Sequence, residues 1–405
     1  MKNIINIVIG LLMVTALKAQ SLESYIQEAE NNNPEVQAFQ LRYNISKEKV
    51  EEADAFPKTE VNAGVFVSEP ETRTGAQKAR FSVKQMLPWF GTITLRENYA
   101  SSLAEVDYLD IVITKRKLRL SVSQAYYELY AIKEKQMVLE ENIQLLNTYE
   151  KLALTSVEVG GASAVDVLRL QIRQNELIEE KLVLEQKYHA VQTQFNNLLN
   201  RDENTSIDVA DDLPVYEPIE ISSSPLTLHP ELEKYDRLYE SVAQSEVLNK
   251  KETSPNIGFG LDYIPVEKRP GMDFSDNGKD ILMPMVSLSI PIFNNNYKSR
   301  TVQNEMRQEE INAQKANRRN LLETILSDAL TNKEASYIKY NTQLMNLEQA
   351  KDAEEILIKN YETGTIDFND VLDIQELQLR FQMNLIEAIK NYYVQTAVIN
   401  YLTNQ

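Results

Sequence analysis

The sequence predicts a mainly α-helical chain that also contains β-strands, with long coiled-coil helices and two pairs of strands. Three observations predict this fold class. The 405 residues include only 11 glycines and 13 prolines, so turns are few and the elements between them are long. Apolar residues recur at coiled-coil spacing over long stretches. The order of motifs in the first half of the chain also returns in the second half.

The first residues have the pattern of a removable secretory signal peptide, which we place at residues 1–19. Lys2 precedes an apolar run from Ile4 to Leu17, and Ala19 offers a small residue for cleavage. A buried N-terminal helix is the alternative. Since no later stretch holds ~18 consecutive apolar residues, we expect no transmembrane helix in the mature chain. Export then leaves the periplasm, the outer membrane or the exterior as destinations.

Composition excludes several classes of function. The chain has no cysteine, which excludes disulfides, thiolate metal sites and a lipid-anchored N-terminus. The net charge of −18 argues against a nucleic-acid partner, because such binding depends on Lys and Arg neutralising phosphates. The sequence shows no nucleophile elbow, metal-ligand cluster or phosphate-binding loop. We therefore expect no enzyme, no catalytic residue, no metal site and no cofactor.

The chain is predicted to contain two copies of one structural repeat. The first repeat is at 20–210, a connector follows at 211–226, and the second repeat is at 227–405. The connector is rich in proline and serine, and residues 207–209 just before it could form a short strand. Each repeat is predicted to contain a helix, two strands and two long helices. The matched motifs are Asn33-Pro34-Glu35 with His229-Pro230-Glu231, Leu87-Pro88-Trp89-Phe90-Gly91 with Ile290-Pro291-Ile292-Phe293-Asn294, and Asp166-Val167-Leu168 with Asp370-Val371-Leu372.

The first helix of each repeat is predicted to begin at a proline, Pro34 or Pro230, which suits the first helical position. The preceding Asn33 and His229 can then cap these helices, so His229 is interpreted as a cap rather than a ligand. The other histidine, His189, lies within a predicted long helix and is likewise not interpreted as a ligand.

Four segments alternate apolar and polar residues with a period of two, as strands with one apolar and one polar face do. They lie near 60–68, 79–84, 256–263 and 282–292. The pattern fits either a half-buried sheet or a membrane barrel around a wet lumen. Lengths near ten residues favour the barrel, whose strands need ~9–11 residues. Aromatic residues suited to a membrane boundary stand at the strand ends: Trp89, Phe90, Phe293 and Tyr297.

The long helices are predicted from an uninterrupted coiled-coil pattern. From Thr92 no proline follows before Pro214. A helix from Thr92 to Val157 would extend on the order of 100 Å at ~1.5 Å per residue. Its apolar stripe keeps four-three spacing with two polar exceptions, Gln136 and Glu150. The second repeat carries a similar stripe, with Glu354 among its members.

Four strands cannot close a barrel, and an open strand edge in hydrocarbon costs several kcal/mol per unpaired amide. The strands of several chains must therefore combine. Two chains would give eight strands and a plugged interior, and three would give twelve strands and an open lumen. Glycines and charges on the inner face favour the open barrel, but geometry alone leaves both numbers possible.

Three features together carry a family resemblance. They are the doubled layout, the strand-end motif Gln85-Met86-Leu87-Pro88-Trp89-Phe90-Gly91, and Tyr361-Glu362-Thr363-Gly364-Thr365 followed by Asp370-Val371-Leu372-Asp373. Over essentially the whole mature chain they resemble TolC-type outer-membrane efflux proteins. The resemblance implies a homotrimer with a long coiled-coil α-helical barrel in the periplasm. It also implies a transmembrane β-barrel in outer-membrane lipid, completed by trimerisation, with four strands per chain and twelve in total.

The resemblance further implies a passive exit duct rather than an enzyme. The implied partners are a periplasmic adaptor (membrane fusion protein) and an inner-membrane transporter of the RND type. Three features are closest to the heavy-metal branch of this family: the short length of the chain, the acidic residues at the predicted helix–turn–helix tip, and the Pro-Trp-Phe-Gly sequence. This similarity implies export of heavy-metal cations.

Residue roles follow from the same resemblance. Asp370 and Asp373 match the aspartates that narrow the tunnel entrance, and Asp166 and Tyr361 match a latch between neighbouring coils. Ile366 stands where the best-known members have an arginine, so the latch is weaker here or built differently. On the residues alone, Asp166 and Asp370 could instead stabilise helix N-termini.

The predicted helix–turn–helix tips are candidates for docking the adaptor, through Val159, Gly160, Thr363 and Gly364. A plain turn role is the alternative for the two glycines. The rival function for the whole chain is a periplasmic coiled-coil adaptor or scaffold without a pore. That function would explain the helices and the signal peptide, but not the duplicated pairs of apolar strands.

Overall fold

The computed structural model describes residues 22–158, 163–218, 229–292, 295–363, 365–366 and 368–403. The predicted signal peptide and part of the predicted connector lie outside these residues. The described elements confirm the mainly α fold class with two strand pairs. They are α1 Leu22–Asn32, α2 Pro34–Ala53, β1 Thr59–Val65, β2 Glu71–Thr72, β3 Gly75–Gln77, β4 Ala79–Leu87, α3 Thr92–Glu158, α4 Ala164–Leu198, α5 Pro230–Lys251, β5 Asn256–Ile264, β6 Val266–Glu267, β7 Ile281–Ser289, α6 Asn296–Glu362 and α7 Phe368–Thr403.

The elements follow the predicted doubled order, in which α2 or α5 precedes a strand pair and two long helices. The first long helix of each repeat, α3 or α6, has 67 residues. Among the described helices, none is both long enough and apolar enough to cross a membrane. Internal contacts divide the chain into two compact units, one of residues up to 38, 112–229 and 319 onward, the other of 39–111 and 230–318. Each unit therefore combines segments of both repeats.

The start of α2 follows the predicted capping. The side-chain oxygen of Asn33 accepts hydrogen bonds from the backbone N–H of Glu35 at 2.9 Å and of Val36 at 3.4 Å. These bonds satisfy donors that the first helical turn leaves open. His229, just before α5, is buried with its ring 5.3 Å from that of Tyr401. Its capping role stays a prediction.

The strands of residues 39–111 and 230–318 form two antiparallel sheets. The four-stranded sheet has the order β1-β4-β5-β7, and a smaller sheet has the order β2-β3-β6. The register places Val83 of β4 between Val61 of β1 and Leu261 of β5, so the apolar positions of neighbouring strands share one face. The sequence pattern predicted the four long strands but not the three short ones, which have only two or three residues each.

Residues 207–209, which the sequence allows as a short strand, belong to the hydrophobic core of the other unit. The structure shows no strand there: Ile207 and Val209 are buried in a cluster that includes Tyr25 and Phe195. The backbone N–H of Asp208 donates to the Tyr25 hydroxyl at 2.9 Å. The tyrosine hydroxyl thus accepts the hydrogen bond from Asp208 that a neighbouring strand would otherwise accept.

An ion-pair network links α3, α4 and α7 in the same unit. Lys390 Nζ lies 3.1 Å from a Glu128 carboxylate oxygen and 2.5 Å from one of Glu387, and Lys135 Nζ lies 2.8 Å from Glu387. Lys187 of α4 also pairs with Glu128. Burial favours the neutral form of Glu387, but hydrogen bonds from Lys135 and Lys390 outweigh it and lower the pKa to about 2. Glu387 is therefore charged at neutral pH, and the ion pairs connect the three helices.

Candidate functional site

The four-stranded sheet exposes its apolar face. Val286 of β7 is 75% exposed, and its register partner Phe259 of β5 is 52% exposed. A contiguous exposed apolar surface of this kind marks a membrane or protein contact. Other exposed apolar side chains on this face are Val61, Val65, Phe81, Val83, Leu261, Tyr263, Leu282 and Leu288.

The opposite face of the sheet carries charges and glycines. Asp262 of β5 is fully buried, and its carboxylate accepts a hydrogen bond from the Arg80 guanidinium of β4. A side chain at Gly258 would collide with Met86 Sδ and Ser287 Oγ, so glycine is needed for these side chains to pack over the strand. A buried carboxylate, paired with an arginine, behind an exposed apolar face reverses the arrangement of a water-soluble sheet.

The sheet is open at both sides. In the described part of the chain, β1 pairs only with β4 and β7 pairs only with β5. All three pairings are antiparallel, so β1 and β7 run in opposite directions. The β7 strand of one copy can therefore pair antiparallel with the β1 strand of a second copy, and a ring of copies keeps the alternation of direction.

Two of the four predicted boundary aromatics lie just after the end of a strand. Trp89 and Phe90 occupy the turn between β4 and α3, with ring centroids 5.8 Å apart, and Phe90 is 78% exposed. Gly91 completes this turn with a φ of 81°, a conformation that favours glycine. Tyr297 is half-buried in the first turn of α6. Phe293 lies outside the described residues.

The tip of the first repeat places Asp166 in a helix cap. Ser163 Oγ accepts from the backbone N–H of Val165, and the Asp166 carboxylate accepts from the backbone N–H of Ser163, both at 3.2 Å. This reciprocal capping box shows Asp166 stabilising the N-terminus of α4, the alternative considered from sequence. Val159 and Gly160 lie outside the described residues.

At the tip of the second repeat, one backbone carbonyl accepts the hydrogen bonds that cap the C-terminus of α6. The Asn360 carbonyl oxygen accepts from the Thr363 hydroxyl at 2.9 Å, the Thr365 hydroxyl at 2.8 Å and the Thr365 backbone N–H at 3.0 Å. These bonds satisfy a carbonyl that the end of a helix leaves open. Thr363 is exposed, and Gly364 lies outside the described residues.

The two predicted entrance aspartates, Asp370 and Asp373, lie in the first turns of α7 and are both exposed. Asp373 lines a groove of about 780 Å³ that also includes Arg169 and Arg173 of α4. Arg169 donates a hydrogen bond to the Asn369 side chain, next to Asp370. Both carboxylates are thus exposed to solvent. A contact between α4 and α7 runs through Asn369, the residue next to Asp370.

The two predicted latch residues, Asp166 and Tyr361, form no hydrogen bond with each other in the described structure. The Asp166 carboxylate is engaged in its own helix cap, and the Tyr361 hydroxyl has no hydrogen-bond partner in the described structure. The Tyr361 ring lies 4.9 Å from that of Phe368, and Ile366 packs against the same apolar cluster. Ile366 therefore supplies apolar packing where the resemblance has an arginine. A latch between neighbouring coils stays a prediction.

Sequence reasoning missed the polar side chains that join the helices near the tips. Besides Arg169, the structure places Arg173 of α4 3.9 Å from Glu376 of α7. Tyr149 of α3 donates a hydrogen bond to Glu354 of α6. The polar interruptions of the apolar stripes were the available signal, because a buried polar residue in a coiled coil requires partners.

Comparisons with known proteins establish the fold. No protein-family model and no curated protein matches the chain. Among solved structures, the outer-membrane channel OprN matches with a TM-score of 0.77 at 16% identity, covering 94% of this chain and 89% of that chain. CusC, a transmembrane channel, matches with a TM-score of 0.78 at 13% identity, covering 96% and 92%. The Neisseria gonorrhoeae MtrE outer-membrane channel in its open state matches at 0.74 and 16% identity, covering 95% and 89%. The fold that the TolC-type resemblance implied is thus confirmed.

Proposed function

We propose that the chain is an outer-membrane export channel of the TolC type, a passive exit duct and not an enzyme. The observation that carries this proposal is the sheet with an exposed apolar face, an Arg80–Asp262 ion pair on its polar face with the aspartate buried, and two open edges. The wall of a membrane barrel needs an apolar surface toward lipid and a polar surface toward water. The fold shared with outer-membrane channels supports the same function.

The proposed assembly is a homotrimer in the outer membrane that extends into the periplasm. Pairing β7 of each copy with β1 of the next gives a closed ring of twelve strands from three copies, and closure removes the open edges that hydrocarbon does not tolerate. Two copies would give eight strands and an interior filled by side chains. The charged and glycine-containing inner face favours the wider, water-filled barrel.

The proposed partners are a periplasmic adaptor and an inner-membrane transporter of the RND type. Val159, Gly160, Thr363 and Gly364 are the proposed contacts with the adaptor. Asp370 and Asp373 are proposed to ring the entrance, where exposed carboxylates of three copies would attract cations. The proposed cargo is heavy-metal cations, which the acidic tip and the Pro-Trp-Phe-Gly sequence favour.

The rival function is a periplasmic adaptor or scaffold without a pore. A soluble scaffold would have to cover the apolar face that includes Val286 and Phe259. The long helices fit both functions, so the exposed apolar face of the sheet is the feature that favours the channel.

Planar lipid bilayers test the proposal with the purified mature protein. A channel should produce discrete, long-lived conductance steps after it is added from detergent, because a twelve-stranded barrel encloses a continuous aqueous path. A protein that never conducts, and that stays in solution when detergent is removed, would be the scaffold instead.

A further inference from the structure

A polar layer interrupts the apolar core between α3 and α4. The carboxylate of Glu150 accepts hydrogen bonds from Gln171 Nε2 at 2.7 Å and from Gln174 Nε2 at 3.2 Å. The two glutamines follow the glutamate by 21 and 24 residues. Gln174 is buried and Gln171 is exposed, so the Gln174 amide is the member of this layer that favours one alignment of the two helices.

The second repeat builds the same layer between α6 and α7. Glu354 accepts hydrogen bonds from Gln375 and, at 2.6 Å, from Gln378, again with spacings of 21 and 24 residues. Both glutamines are buried. The repeated unit thus carries one glutamate–glutamine layer near each tip.

We call the helix pair α3 and α4 the first coil and the pair α6 and α7 the second coil. The layer of the second coil has an additional member from the first coil. Tyr149 of α3 donates its hydroxyl to Glu354 Oε1 at 2.9 Å, and Gln375 Nε2 donates to the Tyr149 oxygen at 3.3 Å. Burial and the hydrogen bond to Glu354 raise the pKa of Tyr149, so its hydroxyl stays protonated and acts as a donor. Ala353, one residue before Glu354, occupies the corresponding position of the second repeat and has no hydroxyl. The tyrosine bond therefore runs only from the first coil to the second.

Tyr149 also contacts the beginning of α7. Its ring lies 5.7 Å from that of Phe368 in an edge-to-face arrangement, and Phe368 is buried. Its hydroxyl bonds to Gln375 two turns further along the same helix. Asp370 and Asp373 lie between these two contacts, so Tyr149 holds the helical segment that carries them.

We propose that Tyr149 is a positioning residue for the channel entrance, whose hydroxyl ties the second coil to the first and holds Asp370 and Asp373 in their observed arrangement, which this proposal takes as that of the closed entrance. This proposal rests on the proposed channel function. It places the tie between coils in the buried Glu354 layer and not at the Asp166 and Tyr361 positions that the family resemblance indicates. Opening then requires the Tyr149–Glu354 bond to break.

Tyr149→Phe tests the proposal because it keeps the ring against Phe368 and removes only the hydroxyl. A hydrogen bond to a charged group is worth about a tenfold change or more in an opening equilibrium. We expect a rise of about tenfold in open probability in planar bilayers, with trimers intact. Amide hydrogen exchange in residues 368–376 should rise by a similar factor, and this readout does not depend on conduction.

The repeat provides a matched pair of control variants. Gln378→Leu removes a hydrogen bond from the layer that Tyr149 joins, and Gln174→Leu removes the corresponding bond from the layer that Tyr149 does not join; both glutamines are buried. Gln378→Leu should open the channel, and Gln174→Leu should leave its open probability unchanged. Equal opening by both would mean that any loosened coil suffices, and the proposal would be overturned.

Two further outcomes separate this proposal from the function on which it rests. Unchanged conductance together with unchanged exchange in Tyr149→Phe overturns the role of Tyr149, as does opening by Tyr361→Phe alone. If the parent protein never conducts, the channel function fails. Exchange at residues 368–376 then still decides whether Tyr149 holds α7.

Discussion

Val286→Lys is expected to abolish assembly of the chain in the outer membrane. Val286 is the most exposed side chain of the apolar face on β7, opposite Phe259. A lysine on a lipid-facing position costs ~2–4 kcal/mol near the bilayer midplane, and a trimer would carry three of them in one barrel. We expect the amount of detergent-extracted trimer in outer-membrane fractions to fall about tenfold or more.

Ser287→Lys is the matched control, since Ser287 is the next residue of the same strand and points to the opposite face. That face already contains Lys84, so a lysine there meets water in a barrel. We expect trimer amounts close to those of the parent protein. Normal assembly of Val286→Lys, or equal loss in both variants, would show that the apolar face does not contact lipid.

Combined Asp370→Asn and Asp373→Asn replacement is expected to remove most of the cation selectivity of the entrance. Both carboxylates are exposed in the first turns of α7, and threefold symmetry would place six of them around one axis. Such a cluster raises the local concentration of cations by about tenfold or more. Block by a trivalent cation in planar bilayers should therefore weaken by about tenfold, and the reversal potential in a salt gradient should shift toward zero.

A second double variant separates a local ring from the overall acidity of the chain. Glu179→Gln with Glu180→Gln removes the same charge from exposed positions on α4. It should leave block and selectivity unchanged. If it weakens block as much as the aspartate variant does, selectivity comes from the net charge of −18 and no entrance ring exists.

Much of the fold could be predicted because the periodicities that specify it are long and repeated. The four-three spacing through Val122 and Leu129 places both fully buried side chains on one face of α3. The period of two likewise predicted which face of β4 and β5 carries Phe81 and Leu261. A match between two halves of one chain strengthens each prediction, because both copies must form the same elements.

The features that could not be predicted depend on contacts between residues distant in sequence. Residues 207–209 alternate like a strand, but Tyr25, far earlier in the chain, supplies the hydrogen bond that a neighbouring strand would otherwise supply. Glu354 and Tyr149 were visible only as a polar member of an apolar stripe and an ordinary tyrosine. Their pairing requires the alignment of two coils, which neither helix specifies alone.

The mass of the assembled particle tests the central claim most directly, because the claim requires three sheets to close into one barrel. Native mass spectrometry of the mature chain, extracted from outer membranes in detergent, should give particles of three copies. These particles should persist at low concentration, and removing the detergent should precipitate them. A single copy that stays dissolved without detergent would contradict the account, since its β1 and β7 edges would then meet water and no pore would form.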